Sequence, residues 1–278
     1  MSDPGVSDPT PPLARPLLLV GCGKMGGALL AGWRERWIAR RFLVVEPAAT
    51  PFSAGAEVTR VATADELPAD LDPAAVVFAV KPQAFDAVIP AYRRFAGRTV
   101  FLSIAAGKTL ASLARGLGAS APAVRAMPNT PAAIGRGIAV ACANGAVDAA
   151  ARALCDRLLA AVGEVAWVEE EALLDPVTAV SGSGPAYVFL LIEALAAAGA
   201  EAGLPAALAM RLARATVAGA GELARLSDTP AATLREAVTS PGGTTRAALD
   251  VLMAPDGLTP LLARAVAAAT RRSRELAD

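Results

Sequence analysis

Leu17-Leu18-Leu19-Val20-Gly21-Cys22-Gly23-Lys24-Met25-Gly26 is the stretch on which the fold turns. Four consecutive apolar residues read as a strand buried on both faces, and residues Lys24–Arg36 have helical spacing. Between them stands G-x-G-x-x-G. Gly21 permits the tight turn, Gly23 lets the backbone approach a pyrophosphate, and Gly26 lets helix meet strand. Orphan N–H groups at the helix start then face the phosphates. A glycine turn alone is a weak signal. Placed between a strand and a helix, it reads as the phosphate turn of a dinucleotide-binding domain.

The alternation continues outward. Phe42–Val45, Ala75–Val80 and Thr99–Ile104 read as strands, and Ala84–Phe95 and Leu110–Leu117 as helices. Apolar strands alternating with helices predict a mostly parallel sheet covered on both sides. Gly137–Ala143 and Glu164–Val168, flanking a helix near Val147–Val162, are expected to extend that sheet at one edge. After Glu171 the strands stop. Residues 184–202, 205–226 and 257–275 are Ala/Leu-rich with helical spacing, broken at Gly203-Leu204-Pro205, Ser227–Pro230 and Ala254–Gly257. So much small apolar helix suggests packing against a second copy of the chain. The expected organisation is a disordered tail over 1–14, a dinucleotide-binding domain over 15–171 and a helical domain over 172–278.

Composition narrows the chemistry. The 278 residues hold 26 Lys+Arg, 26 Asp+Glu and no histidine. Balanced charge leaves no electrostatic footprint for nucleic acid or an anionic membrane. Without histidine there is no Ser-His-Asp or Cys-His relay and no His-containing zinc site, and no metal is expected. Cys22, Cys142 and Cys155 are too few and too scattered for a disulfide framework. The N-terminus lacks the basic region of a signal peptide, and the apolar run Ala186–Ala200 is shorter than a membrane span. A soluble, cytoplasmic protein is expected.

Further stretches look able to carry chemistry. Glu46 ends the second strand, where an acidic side chain usually accepts from a ribose 2′-hydroxyl. No Arg follows it closely, which argues for NADH at least as well as NADPH. Ala79-Val80-Lys81-Pro82 and Ser103-Ile104-Ala105-Ala106-Gly107 lie at carboxyl ends of strands, where such sheets bind ligands. Lys81 could reach a ribose or phosphate, or be an ordinary surface charge. Asn129, between two prolines in Met127–Pro131, could orient water or cofactor at the nicotinamide end, or simply form a turn. Ser181–Tyr187 and Ser240-Pro241-Gly242-Gly243-Thr244-Thr245 are small-residue loops leading into helices. The second offers unobstructed N–H groups and two hydroxyls at a helix start, an anion cradle suited to a carboxylate.

GCGKMGGA, AVKP, SIAAG, RAMPNTPA, VSGSGPAYVF and SPGGTT occur in this order. Together they resemble pyrroline-5-carboxylate reductase, over about residues 16–275. The resemblance implies a Rossmann domain followed by an all-α dimerisation domain, an intertwined homodimer that often forms a pentamer of dimers, NADPH or NADH as cofactor, and reduction of 1-pyrroline-5-carboxylate to L-proline. It implies that Gly21, Gly23, Met25 and Gly26 hold the pyrophosphate side, and that Val80, Lys81, Pro82, Ala105 and Ala106 line the cofactor. It places the substrate carboxylate on Gly243, Thr244 and Thr245. The Thr245 hydroxyl lies near the ring nitrogen as the catalytic group, Val238 packs on the substrate, and Glu171 stands at the border of its site. The loop at 240–245 would come from one subunit and the nucleotide from the other. Two alternatives fit less well. A β-hydroxyacid dehydrogenase relative would need a catalytic lysine in the helical domain, and no lysine follows Lys108. A nucleotide sensor without turnover would have no use for the carboxylate cradle.

Overall fold

The computed structural model describes residues 10–48 and 55–277. Eight strands form one sheet: β1 (Leu17–Val20), β2 (Phe42–Val45), β3 (Val58–Val61), β4 (Ala75–Phe78), β5 (Val100–Ser103), β6 (Ala123–Met127), β7 (Gly137–Ala143) and β8 (Gly163–Trp167). Their order is β3-β2-β1-β4-β5-β6-β7-β8. Every pairing is parallel except β6 with β7. The order reverses at β1, so the crevice at its carboxyl end is the topological switch point of a doubly wound sheet.

The strands are apolar on both faces because both faces are covered. Leu17, Leu19, Val44, Val77 and Leu102 point into one core with Leu29, Trp33 and Leu158. Leu18, Leu43, Val76, Phe78 and Phe101 point into the other with Phe85, Tyr92 and Leu113. The covering helices are α1 (Lys24–Glu35), α2 (Pro82–Val88), α3 (Leu110–Leu117) and α4 (Ala149–Ala160). Trp33 donates its indole N–H to the Leu158 carbonyl at 2.8 Å, tying α1 to α4.

β7 and β8 extend the sheet at one edge, as the sequence predicts. Two strands, β3 and β6, escape the sequence reading. Val58-Thr59-Arg60-Val61 is half polar because β3 is an edge strand, and β6 begins among residues that look like loop. The helix expected over Ala84–Phe95 is α2 followed by a 3-10 segment over Ile89–Phe95, because Pro90 cannot continue an α-helix.

Beyond the sheet lie α5 (Leu174–Val177), a π-helical turn (Thr178–Gly182), α6 (Gly184–Glu201), α7 (Ala206–Leu226), α8 (Ala231–Ala237), α9 (Thr244–Leu252) and α10 (Leu258–Leu276). The chain divides into two compact units, one of residues 1–182 with 270–278, the other of residues 183–269. The first unit therefore runs past the expected border at 171. The reason is packing: Leu174 is buried with Val140 and Cys142, and Ser273 Oγ donates to Asp175 at 2.7 Å. Of the expected disordered tail, residues 1–9 lie outside the described residues. Residues 10–14 require a correction: Leu13 bridges Ala39, and Arg157 donates to the Thr10 and Pro11 carbonyls.

In the second unit, α6 and α7 pack together across a short link whose Gly203 has φ 100°. Gly199 faces Ala209, and Ala196, Ala209 and Ala213 are buried. Much larger residues, among them Phe189, Leu190, Leu223 and Val251, are exposed. The helical run from Glu171 to Glu201 is 31 residues, long and apolar enough to cross a membrane by length and composition. Ala186–Ala200 alone looks too short for this, because the 3-10, α and π turns before it are not legible as one run.

Candidate active site

The turn after β1 is built as its glycines require. Gly21 has φ 88°, and a Cβ there would stand 2.7 Å from the Ala79 carbonyl oxygen. A Cβ on Gly26 would run into the Gly21 carbonyl oxygen. Gly23 differs: nothing lies within 4 Å of its Cβ direction. It is the N-cap of α1, extended, with no side chain capping the helix. The first N–H groups of α1 therefore have no side-chain acceptor and face an open approach. A pyrophosphate fits this cradle, and only a residue without a side chain at 23 keeps the way clear. Met25, partly buried against the core, anchors the first turn of α1.

Around this turn the sheet presents the ends of β2, β4 and β5. Glu46 closes β2, and its Oε2 accepts the Cys22 N–H at 2.8 Å while Oε1 accepts the Ala48 N–H at 2.9 Å. The sequence offers no nearby arginine, but the sheet brings one. Arg60 of β3 donates through Nε and Nη2 to the Glu46 carbonyl at 3.0 and 2.9 Å. Val80 is half-buried, Lys81 is exposed as the extended residue before α2, and Pro82 occupies the first turn of that helix. Ala105 is buried and Ala106 exposed in the loop after β5. Beside them Lys108, 7% exposed, reaches Asp86 at 2.9 Å.

Two expected site residues are engaged by the protein itself. Asn129 Oδ1 accepts the Ile138 N–H at 3.0 Å, fastening the turn between β6 and β7. Glu171 Oε1 accepts from Arg125 Nη1 at 2.9 Å and from the Leu110 N–H at 2.8 Å. Arg125 lies in β6 and its side chain is 7% exposed. No motif in the sequence marks Arg60, Lys108 or Arg125 as a site residue. Arg125 could have been suspected as a lone cation inside an otherwise apolar run.

Burial pushes the Cys22 thiol up to about 11, with the Glu46 charge adding to it and Arg60 opposing. Burial likewise raises Cys142, and raises Cys155 to about 12. All three are protonated thiols at neutral pH and none is a ready nucleophile.

In the helical unit, the stretch after Ser240 turns at Gly242, φ 69°, and enters α9 through Gly243. Gly243 is extended and no side chain caps the helix. The Thr244 and Thr245 N–H groups thus open α9 without a side-chain acceptor, and Thr245 is half-buried. Val238, just after α8, is 69% exposed. A carboxylate matches such a helix start, because both the free N–H groups and the helix dipole favour an anion there.

The doubly wound sheet with a glycine turn at its switch point puts the chain in the class of Rossmann-type dinucleotide-binding proteins. Residues 171–276 match the family described as pyrroline-5-carboxylate reductase dimerisation. A pyrroline-5-carboxylate reductase of Pseudomonas aeruginosa is 40% identical over 267 residues, covering 94% of this chain and 97% of that one. The solved structure of a pyrroline-5-carboxylate reductase from Coxiella burnetii superposes with a TM-score of 0.85 at 31% identity, over 94% of this chain and 98% of that one. One from Plasmodium falciparum, with NADP bound, gives 0.81 at 28% identity over 97% and 100%. The chain belongs to the pyrroline-5-carboxylate reductase family.

Proposed function

We propose that this chain reduces the C=N bond of 1-pyrroline-5-carboxylate to give L-proline, with NADPH or NADH, as the last step of proline biosynthesis. What carries the reading, beside the family, is that two helices at glycine-rich turns of this chain, α1 after β1 and α9, are each opened by glycine with no side chain capping them.

A bound reduced nicotinamide dinucleotide supplies the hydride. Gly21, Gly23 and Gly26 with the start of α1 hold its pyrophosphate, Met25 supports that turn, and Val80, Lys81, Pro82, Ala105 and Ala106 line its path. Gly243, Thr244 and Thr245 hold the substrate carboxylate, Val238 covers the ring, and the Thr245 hydroxyl hydrogen-bonds the ring nitrogen. Asn129 and Glu171 act indirectly, through the β6–β7 turn and through Arg125. A ketone would leave negative charge on oxygen and call for an acid. A cyclic imine is protonated on nitrogen beforehand, and the product amine exchanges its proton with solvent. The absence of histidine is consistent with that chemistry. The chain's own task is orientation, which in favourable cases lowers a barrier by about 7–11 kcal/mol.

The dimerisation match over residues 171–276 supports self-association. A pentamer of dimers and a cytoplasmic location belong to the same proposal, the latter supported by three free, buried cysteines.

The test is imine-dependent oxidation of NADPH and NADH by the purified chain. Thr245→Ala is expected to lower kcat/KM roughly 100-fold while nucleotide affinity stays within about twofold. No oxidation by the wild-type chain would overturn the function, and unchanged kinetics in the variant would remove Thr245 from the chemistry.

A further inference from the structure

The end of β2 carries a charge pattern that phosphate binding at the glycine turn does not explain. Both carboxylate oxygens of Glu46 are occupied by main-chain N–H groups, those of Cys22 and Ala48. The carboxylate is thus drawn into the turn and braces it. Arg60 lies 14 residues further on, brought alongside by the parallel register of β2 with β3. Its Nε and Nη2 donate to the Glu46 carbonyl, and Nη2 also to the Ala48 carbonyl. These acceptors are neutral. No carboxylate lies within ion-pair distance of Arg60 among the described residues, its Nη1 makes no hydrogen bond to them, and the side chain is exposed. The guanidinium is therefore held in position by main-chain oxygens and forms no ion pair with a described residue.

In a sheet of this topology the end of β2 faces the adenosine ribose of a bound dinucleotide. An acidic side chain there accepts from a 2′-hydroxyl, whereas a 2′-phosphate needs a cation, and a fixed guanidinium fork suits phosphate oxygens best. Here both groups are present and differ in engagement. The acid is already bonded on each oxygen; among the described residues the arginine leaves Nη1 without a hydrogen bond and has no ion-pair partner.

We propose that Arg60 reads the 2′-phosphate of NADPH, and that Glu46 serves mainly to brace the glycine turn instead of selecting NADH. This rests on the function proposed above, and it names the residue that sets cofactor choice. A lone Glu at the strand end would argue for NADH; the adjacent strand reverses that preference by supplying the missing cation.

Calorimetric titration of the full chain with adenosine 2′,5′-bisphosphate and with 5′-AMP tests it, since the two differ only in the 2′-phosphate. The wild-type chain is expected to bind the bisphosphate more tightly. Arg60→Gln should weaken the bisphosphate about 10- to 100-fold and 5′-AMP less than about threefold. Arg60→Lys should fall between, and added salt should narrow the wild-type preference. Equal weakening of both nucleotides would mean that Arg60 only shapes the loop; that result overturns the proposal. So does a wild-type chain that does not distinguish them, or a variant that binds both as before. These titrations need no imine, so their failure is separable from a failure of the reductase assay.

Discussion

Arg125 and Glu171 form an ion pair of 2.9 Å between the middle of β6 and the residue that opens the helical run after the sheet. The Arg125 side chain is 7% exposed and that of Glu171 28%. Glu171 also receives the Leu110 N–H at the start of α3, so one carboxylate joins three elements. Glu171→Ala leaves a buried guanidinium and a helix-start N–H without their partner. The expected cost is about 2 kcal/mol, below that of a fully buried pair because Glu171 is partly solvated. Thermal denaturation should show a drop of several degrees, and a midpoint unchanged from wild type would contradict the role.

Gly23 and Gly26 are predicted to fail differently. A Cβ on Gly26 meets the Gly21 carbonyl, so Gly26→Ala should lower the melting temperature and nucleotide affinity together. A Cβ on Gly23 meets nothing in the protein. Gly23→Ala should therefore melt like the wild type yet bind dinucleotide roughly tenfold more weakly, because the methyl stands where the pyrophosphate approaches. Full affinity in Gly23→Ala would mean that the phosphates lie elsewhere.

Stability should fall at high pH through the buried thiols. Folding raises Cys22 from 9.0 to about 11 and Cys155 from 9.0 to about 12, in each case chiefly by burial. Below pH 9 both folded and unfolded chains keep these protons and the stabilisation is fully present. Above it the unfolded chain ionises first, so stability is lost as pH rises through the folded-state values. Urea midpoints between pH 8 and 11 are expected to decline, less steeply in Cys155→Ala. Thiol reagent at pH 8 should label none of the three cysteines until the chain unfolds. Rapid labelling of the native protein would refute their burial.

Phe189 is 60% exposed and Leu190 63% exposed on α6, inside the stretch matched by the dimerisation family. Adjacent large apolar side chains left in water mark an association surface. Phe189→Asp should reduce the particle mass measured by light scattering and make the melting temperature less dependent on concentration. Wild-type mass in this variant would place the contact on another face.

What was readable in the chain and what was not divide by physical cause. The sheet strands β1, β2, β4, β5 and β7 are legible because each is a continuous apolar run, which only a position covered on both faces rewards. The glycine turns are legible because their cost elsewhere makes Gly-x-Gly and Gly-Gly conspicuous beside a helix. Edge strand β3 is not, since half its residues face solvent. The membrane-length run from Glu171 is not, since it joins 3-10, α and π turns.

The amino-acid order by itself determined a strand–glycine turn–helix beginning, a helical second half and a site without histidine, since each depends on neighbours a few residues apart. Tertiary structure alone decided that Arg60 stands beside Glu46, that Glu171 serves Arg125, and that Ser273 returns to Asp175. Those pairs arise from strand register and chain return. Local propensity holds no information about which distant side chain a folded sheet will bring to a strand's end.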